Sequence, residues 1–155
     1  MHLEYFQLID KVDAVEPDAG VIRAVASVPE ESTIFEGHFP GHPLMPGVLL
    51  IEAMAQTSGY LLLAMYRFDR MPFLAGVREA KLRAFVEPGQ SLDIEARLEH
   101  DGSGYAMTKA KIRRAGGAVC DAALTFRLAP FPTDDMRTAM TEHAARLGLG
   151  HELLT

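Results

Sequence analysis

GHFPGHPLMPGVLLIEAMAQ, residues 37–56, decides the fold of this chain, because it joins a stiff loop to a long apolar segment. Three prolines fix φ and prevent regular helix across the loop, while three glycines allow its tight bends. His38 is therefore presented by a rigid, non-helical segment. From Pro46 onward nearly every residue is apolar, and proline suits the first turn of a helix. The pattern predicts one long, largely buried helix over residues 46–66.

A buried helix that carries Glu52 and Gln56 must satisfy both side chains, since an unpaired polar group in apolar surroundings costs about 1 to 3 kcal/mol. The two positions are i and i+4, so they share one face of the helix. Desolvation there favours the protonated carboxyl, which makes Glu52 a candidate general acid. Free backbone N–H groups at the helix start, around Gly47 and Val48, suit a negative charge developing on an oxygen. With His38 as the base, this stretch carries the parts of an acid/base site.

Simpler interpretations of these residues remain open. A lone histidine in a loop is often a surface or capping residue, and a lone glutamate on a helix usually faces water. His38 and His42 have the i, i+4 spacing of many zinc ligands, but Pro40 and Pro43 prevent the helix that would place them on one face. We therefore expect no metal at this loop.

Two strand patterns surround the helix segment. Apolar residues alternate from Ile22 to Val28 and again from Leu92 to Leu98, which is the period of a half-buried strand. The turn sequences HDGSGY at 100–105 and AGG at 115–117 predict a meander of three antiparallel strands over residues 91–128. These patterns by themselves predict only an α+β protein.

Length and composition predict one domain, because 155 residues with 48% hydrophobic content can bury a sizeable core. We assign residues 1–131 to this domain and residues 132–155 to a helical extension of it, whose helix begins near Thr133 as N-cap. The single cysteine, Cys120, excludes an intramolecular disulfide and fits a reducing cytoplasm. The helix over 46–66 is long enough to cross a bilayer, but its polar residues favour a core helix, so we expect no membrane span.

The run at 37–56 resembles the active-site signature of the FabZ-type 3-hydroxyacyl-acyl-carrier-protein dehydratases. The resemblance extends to FLAGVREAKLRAFVEPGQSLDIEARLE at 73–99, and FQLIDKV at 6–12 is similar to the family's first strand. It covers roughly residues 5–130. The family implies a hot-dog fold, in which a long central helix is wrapped by an antiparallel sheet of about six strands. It also implies that no metal or organic cofactor is required.

The resemblance assigns a role to each matching residue. It implies that His38 removes the α-proton of the acyl thioester and that Glu52 protonates the departing hydroxyl. It implies that the amide of Gly47, beside Val48, binds the thioester carbonyl and that Gln56 supports the carboxylate. The related FabA-type enzymes carry Asp at the position of Glu52, which favours plain dehydration over isomerisation here.

The implied reaction converts (3R)-hydroxyacyl-acyl-carrier-protein into trans-2-enoyl-acyl-carrier-protein. The pathway is fatty acid synthesis or the making of specialised acyl chains, such as those of envelope lipid. In the family the histidine loop of one protomer meets the acid of the other, so the resemblance implies a homodimer with shared active sites and leaves a trimer of dimers open. The chain departs from the family at its start, where MHLEYFQLID stands in place of a His-Arg-Tyr-Pro-like segment.

Two other functions are weighed against this one. A hot-dog thioesterase or hydratase acting on coenzyme A esters shares the fold but not the combined GHFP loop and EAMAQ helix. A non-catalytic acyl-binding or scaffold protein has no reason to retain both His38 and Glu52.

The charge distribution predicts a partner. The net charge of −6 argues against nucleic acid, yet residues 65–114 carry a net +3 and the remainder −9. Such a basic region can dock an acidic acyl carrier protein, although a solvated strand face explains the same charges equally well. The candidate docking residues are Arg78, Lys81, Arg83, Lys109, Lys111, Arg113 and Arg114, of which the first three are favoured.

Overall fold

Helix α2, Gly47–Met65, is the centre of the computed structural model, which describes residues 1–154. Its bounds match the predicted span, since Pro46 is the N-cap residue and Tyr66 the C-cap residue. Side chains on every side of the helix are buried, as expected for a nearly all-apolar segment. By length and composition this helix is the one described segment that could cross a membrane, but most of it is enclosed by protein, which is typical of a core helix.

Six antiparallel strands form a single sheet that wraps around α2, in the order β1-β2-β4-β5-β6-β3. This arrangement is the hot-dog fold, as predicted. β1 and β3 are its two edge strands. The strands are β1 Lys11–Glu16, β2 Val21–Ser27, β3 Met71–Leu82, β4 Ser91–Gly102, β5 Tyr105–Arg114 and β6 Gly117–Ala129.

The sheet turns its apolar face toward α2, as the alternation in the sequence predicts. Ile22, Ala24, Leu92 and Ile94 are buried against the helix. In the middle of this layer the hydroxyl of Thr108 on β5 donates a hydrogen bond of 2.9 Å to a serine hydroxyl on α2. The pairing satisfies two polar groups that are fully enclosed in an apolar core.

The predicted meander is present as β4, β5 and β6, each paired with the next. Ser103 and Gly104 form the turn between β4 and β5 with φ of 54° and 80°. Two successive positive φ values match the twist of the adjoining strands, and glycine adopts them without steric cost.

The first strand was predicted at residues 6–12, and this expectation is wrong for most of that segment. β1 begins only at Lys11. The preceding residues are held by a side chain instead, because Gln56 bonds the carbonyl of Phe6 and the N–H of Leu8. Backbone groups that are paired in this way are not available to a sheet ladder.

The predicted C-terminal helix is present as α3, Asp134–Arg146, with Thr133 as its N-cap. The hydroxyl of Thr133 accepts a 3.1 Å hydrogen bond from the N–H of Met136. Beyond the helix, the carbonyl of Leu147 accepts a 2.7 Å hydrogen bond from the N–H of Val12 on β1. Helix α3 is thereby docked on the core; the last residue of the predicted extension, 155, lies outside the described chain.

Candidate functional site

The loop that carries His38 is stiffened by backbone hydrogen bonds as well as by its prolines. A short helix α1, Thr33–Gly37, ends immediately before it. The carbonyl of His38 accepts a 2.9 Å bond from the N–H of Leu44, and the N–H of Met45 donates to the carbonyl of Val86 at 2.8 Å. The imidazole is half-buried and stacks on the ring of Phe39, with centroids 4.0 Å apart. The predicted base is therefore held in place rather than free in solvent.

The second histidine of the loop does not join the first. His42 is exposed, and its backbone exchanges two hydrogen bonds with Phe39 in a tight turn. Within residues 1–154 no group of three or more histidine, cysteine, aspartate or glutamate side chains is placed to hold a metal ion.

The start of α2 offers two free backbone donors beside this loop. The carbonyl of Pro46 accepts bonds from the N–H groups of Leu49 and Leu50. The backbone hydrogen bonds of the described residues include none from the N–H of Gly47 or Val48. Free N–H groups at a helix N-terminus carry partial positive charge and favour an anionic oxygen. Gly47 and Val48 thus each have the free N–H group that an oxyanion site needs.

Gly47 lies in close contact with a side chain of β3. A Cβ built there would collide with the Leu82 side chain at the end of β3. Gly47, Leu82 and His38 line a common cavity of about 300 Å³. A larger residue at position 47 would therefore displace the Leu82 side chain within this cavity.

Gln56 connects the predicted acid to the N-terminal segment. Its amide nitrogen donates to Glu52 Oε1 at 3.2 Å and to the carbonyl of Phe6 at 2.8 Å. Its amide oxygen accepts from the N–H of Leu8 at 3.0 Å. The i, i+4 pair on α2 therefore meets as predicted, and Glu52 is held in a half-buried position by a neutral donor.

Within one chain, His38 and Glu52 do not share a cavity. Glu52 lines a second cavity, of about 360 Å³, that runs along α2 past Gln56 and Tyr60. His38 is not part of its wall. The single protomer therefore presents the predicted base and the predicted acid to two separate spaces.

The Glu52 cavity also contains residues that the sequence patterns missed. Tyr60 lies eight residues after Glu52, two turns further along the same helix face, a spacing that could have revealed it. Met140 and His143 come from α3. No local pattern links α3 to α2, so only the folded chain shows that they meet.

The predicted docking residues are exposed except Arg114, which is half-buried and donates hydrogen bonds to the carbonyl of Phe85 and the side chain of Gln90. Arg78 and Lys81 lie on the edge strand β3. Arg83 follows the strand, forms an ion pair of 2.7 Å with Asp121 and lines the cavity of His38. Of these three residues, Arg83 is the one that lines the cavity.

Known proteins match both this sequence and this fold. The FabA-like domain family model matches residues 1–123. A FabZ 3-hydroxyacyl-[acyl-carrier-protein] dehydratase from Ligilactobacillus salivarius is 39% identical over 123 residues, which are 78% of this chain and 86% of the relative. The FabZ enzyme of Latilactobacillus sakei is 41% identical over 121 residues, 77% of this chain and 85% of the relative.

Similarity of fold extends to more distant proteins. A structure described as the dehydratase heterocomplex ApeI:P from Xenorhabdus doucetiae is 19% identical and has a TM-score of 0.65, covering 86% of this chain and 90% of that chain. At this identity the match concerns the fold alone. The family model and the curated relatives decide the identity: this chain belongs to the FabA-like family, among the FabZ-type 3-hydroxyacyl-acyl-carrier-protein dehydratases.

Proposed function

We propose that this protein removes water from 3-hydroxyacyl groups carried on acyl carrier protein, with His38 as the base and Glu52 as the acid. The observation that carries the proposal is that His38 and Gly47, the first residue of α2 with its free N–H, line one cavity. Loss of water from a 3-hydroxyacyl thioester requires removal of a weakly acidic C–H and expulsion of a poor leaving group. One group must take a proton and another must give one.

Each residue has a defined part in the reaction. His38 takes the proton from the α-carbon, and the electron pair moves toward the thioester oxygen. The amides of Gly47 and Val48 stabilise that oxygen, which is worth about 2.7 to 4 kcal/mol at comparable sites. Glu52 then gives its proton to the 3-hydroxyl, the C–O bond breaks, and water leaves with formation of the 2,3 double bond. Gln56 donates to Glu52 and orients the carboxyl.

Both groups must reach one substrate, which the separate cavities of a single chain do not allow. We propose that the active site is completed in a homodimer, where His38 of one protomer meets Glu52 of the other. The apolar side chains around the His38 cavity support this arrangement, since Phe85 is 78% exposed and Leu82 54%. Exposed apolar surface of this kind marks a contact site.

Strand β3 supplies the surface for such a dimer. It is a long edge strand, and its exposed apolar residues include Phe73, Leu74 and Val77. An unpaired apolar edge is a template for another strand. We propose that β3 pairs with its copy, so that two six-stranded sheets become continuous.

Mixed dimers test the shared site. His38→Ala and Glu52→Gln should each be inactive in hydration of a trans-2-enoyl thioester, followed by loss of enoyl absorbance. After the two variants are unfolded and refolded together, one intact site forms in each mixed dimer, so about a quarter of wild-type activity should return. His42→Ala, in the same loop, is the matched control for His38→Ala. Mixed dimers that form by native mass spectrometry yet stay inactive would contradict the shared site.

Wild-type activity tests the function itself. Turnover of carrier-bound substrates that both single variants abolish would support the dehydratase and its acid/base pair. The absence of wild-type turnover with carrier and coenzyme A thioesters alike would refute the proposed reaction and favour an acyl-binding protein.

We propose that acyl carrier protein docks on the basic residues beside the His38 cavity. Arg83 lines that cavity, and Arg78 and Lys81 lie on the adjoining strand. Arg78→Glu with Lys81→Glu should raise KM for carrier-bound substrate but spare a short thioester mimic, because only the carrier is acidic. Lys11→Glu, on the opposite edge strand β1, is the control. Equal losses on both substrates would count against docking.

We propose a cytoplasmic location, which the buried free thiol of Cys120 supports because such thiols are usual in a reducing compartment. Fractionation of the source cells, with detection of this chain, tests the proposal.

A further inference from the structure

Helix α3 forms part of the wall of the cavity that begins at Glu52. On one side the cavity follows a single face of α2, past Gln56 and Tyr60. Met140 and His143 of α3 line it as well. The match to the family model ends at residue 123, before α3 begins. This part of the wall is therefore supplied by a segment beyond the matched domain.

Tyr60 brings an unpaired hydroxyl to this cavity. The residue is 5% exposed, and no group of residues 1–154 forms a hydrogen bond with its hydroxyl. No fully enclosed polar side-chain atom of the described chain lacks a partner, so the Tyr60 hydroxyl retains accessible surface, and the residue lines this cavity. Burial raises the pKa of Tyr60 to about 12, although Arg146 opposes the shift. The phenol is thus a neutral hydrogen-bond donor at physiological pH.

His143 adds a second polar group next to the first. Its ring centroid lies 6.0 Å from that of Tyr60, and the planes are tilted by 38°. Burial lowers the pKa of His143, and the charge of Arg146 lowers it further, which favours the neutral imidazole. A neutral imidazole has one donor and one acceptor nitrogen. Together the two rings can donate to, and accept from, one small polar group.

We propose that Tyr60 and His143 form a polar subsite for a hydroxyl or keto group on the distal part of the acyl chain. The inference rests on the proposed function, in which the reacting end of the chain lies at Glu52. Tyr60 follows Glu52 by eight residues, so the subsite is about 12 Å from the acid along the helix. A neutral group is favoured over a carboxylate, since most of the cavity wall is apolar and an ion would lose its hydration there.

Paired substrates test the subsite. Hydration is measured with carrier-bound trans-2-enoyl chains of equal length, either unsubstituted or with a hydroxyl at successive positions toward the far end. Wild type should have a higher kcat/KM for the hydroxylated chain at one optimal position. Tyr60→Phe and His143→Leu should each lower the ratio of the two kcat/KM values by about three- to tenfold, the effect of one hydrogen bond. Tyr66→Phe is the matched control, because the Tyr66 hydroxyl bonds to Asp101.

Each other outcome has a defined meaning. The deciding quantity is kcat/KM for the hydroxylated chain divided by kcat/KM for the unsubstituted chain. A wild-type value of one at every hydroxyl position, or a value that neither variant changes, would overturn the subsite while leaving the dehydratase intact. Preference for a chain that ends in a carboxylate would overturn the neutral assignment and implicate Arg146. Lack of wild-type turnover with all chains would remove the proposed function and the subsite with it. If Tyr60→Phe fails to fold, as judged by its unfolding temperature, the His143→Leu variant tests the subsite in the same assay, because His143 is only half-buried.

Discussion

Replacement of Gln56 by leucine should destabilise the protein through one particular backbone group. The substitution removes three hydrogen bonds, to the N–H of Leu8, the carbonyl of Phe6 and the carboxyl of Glu52. Leu8 is fully buried, so its N–H cannot turn to water instead. Phe6 is exposed and Glu52 half-buried, so both can be rehydrated.

The expected magnitude follows from this asymmetry. An unsatisfied buried donor costs about 1 to 3 kcal/mol, whereas the loss of a bond to a group that water can reach costs far less. We expect the free energy of unfolding to fall by about 2 kcal/mol, which lowers the unfolding temperature by about 4 to 8 °C in a chain of this length. Dehydratase activity should fall as well, because Glu52 loses the donor that orients it.

Urea unfolding monitored by circular dichroism measures the effect, with all variants at one protein concentration because a dimer's stability depends on it. Thr57→Val is the matched control on the neighbouring position of α2. Its hydroxyl bonds only to the carbonyl of Ala53 within the same helix, so its loss should cost less than about 1 kcal/mol. If Gln56→Leu unfolds at the same urea concentration as wild type, the bond to Leu8 contributes nothing and the reasoning is refuted.

Three further perturbations have defined outcomes. Gly47→Ala should stay folded by circular dichroism, since the half-exposed Leu82 side chain can rotate away from the new Cβ, but it should lose activity. Adding Leu82→Ala to this variant should restore part of the rate. No restoration in the double variant would exclude the steric explanation. For Glu95, burial opposes ionisation, but hydrogen bonds from one lysine and two arginines outweigh it and lower its pKa to about 2. Its stabilisation is present above the unfolded-state pKa of about 4.3 and is lost as pH falls toward 2. Glu95→Gln should therefore be less stable than wild type at pH 7 by urea unfolding, with a difference that shrinks in acid; a constant difference would contradict the ion pairs. Thr133→Ala should cost about 1 kcal/mol by removing the cap of α3, and hydrogen exchange should rise first at Met136, whereas uniform exchange would argue against local fraying.

Some features were predictable because they depend on neighbours in the chain. Helix α2 begins after Pro46, where the loop prolines stop restricting the backbone. The turn at Ser103 and Gly104 needs positive φ, which its sequence favours. The Thr133 cap also acts within a few residues, on Met136.

The first strand shows where a prediction from the sequence failed. Residues 6–12 resemble the family's first strand, but a polar side chain 48 residues beyond Leu8 takes up its backbone N–H. Sequence periodicity contains no information about a competitor that arrives from another element. The same reason explains why His143 was missed, since α3 meets Tyr60 only in the folded chain.

The patterns of the sequence by themselves determined an α+β protein with the rigid loop of His38 and the i, i+4 pair on α2, and its resemblance to a known family implied the hot-dog architecture. Proline dihedrals, helical period and turn preference act over a few residues and survive in any context. Only the tertiary structure decided that His38 and Glu52 of one chain face different cavities, and that α3 walls the second of them. The cavity that each side chain faces depends on how distant segments pack around α2. A shift of one residue in strand register, for example, moves a side chain to the opposite face of the sheet.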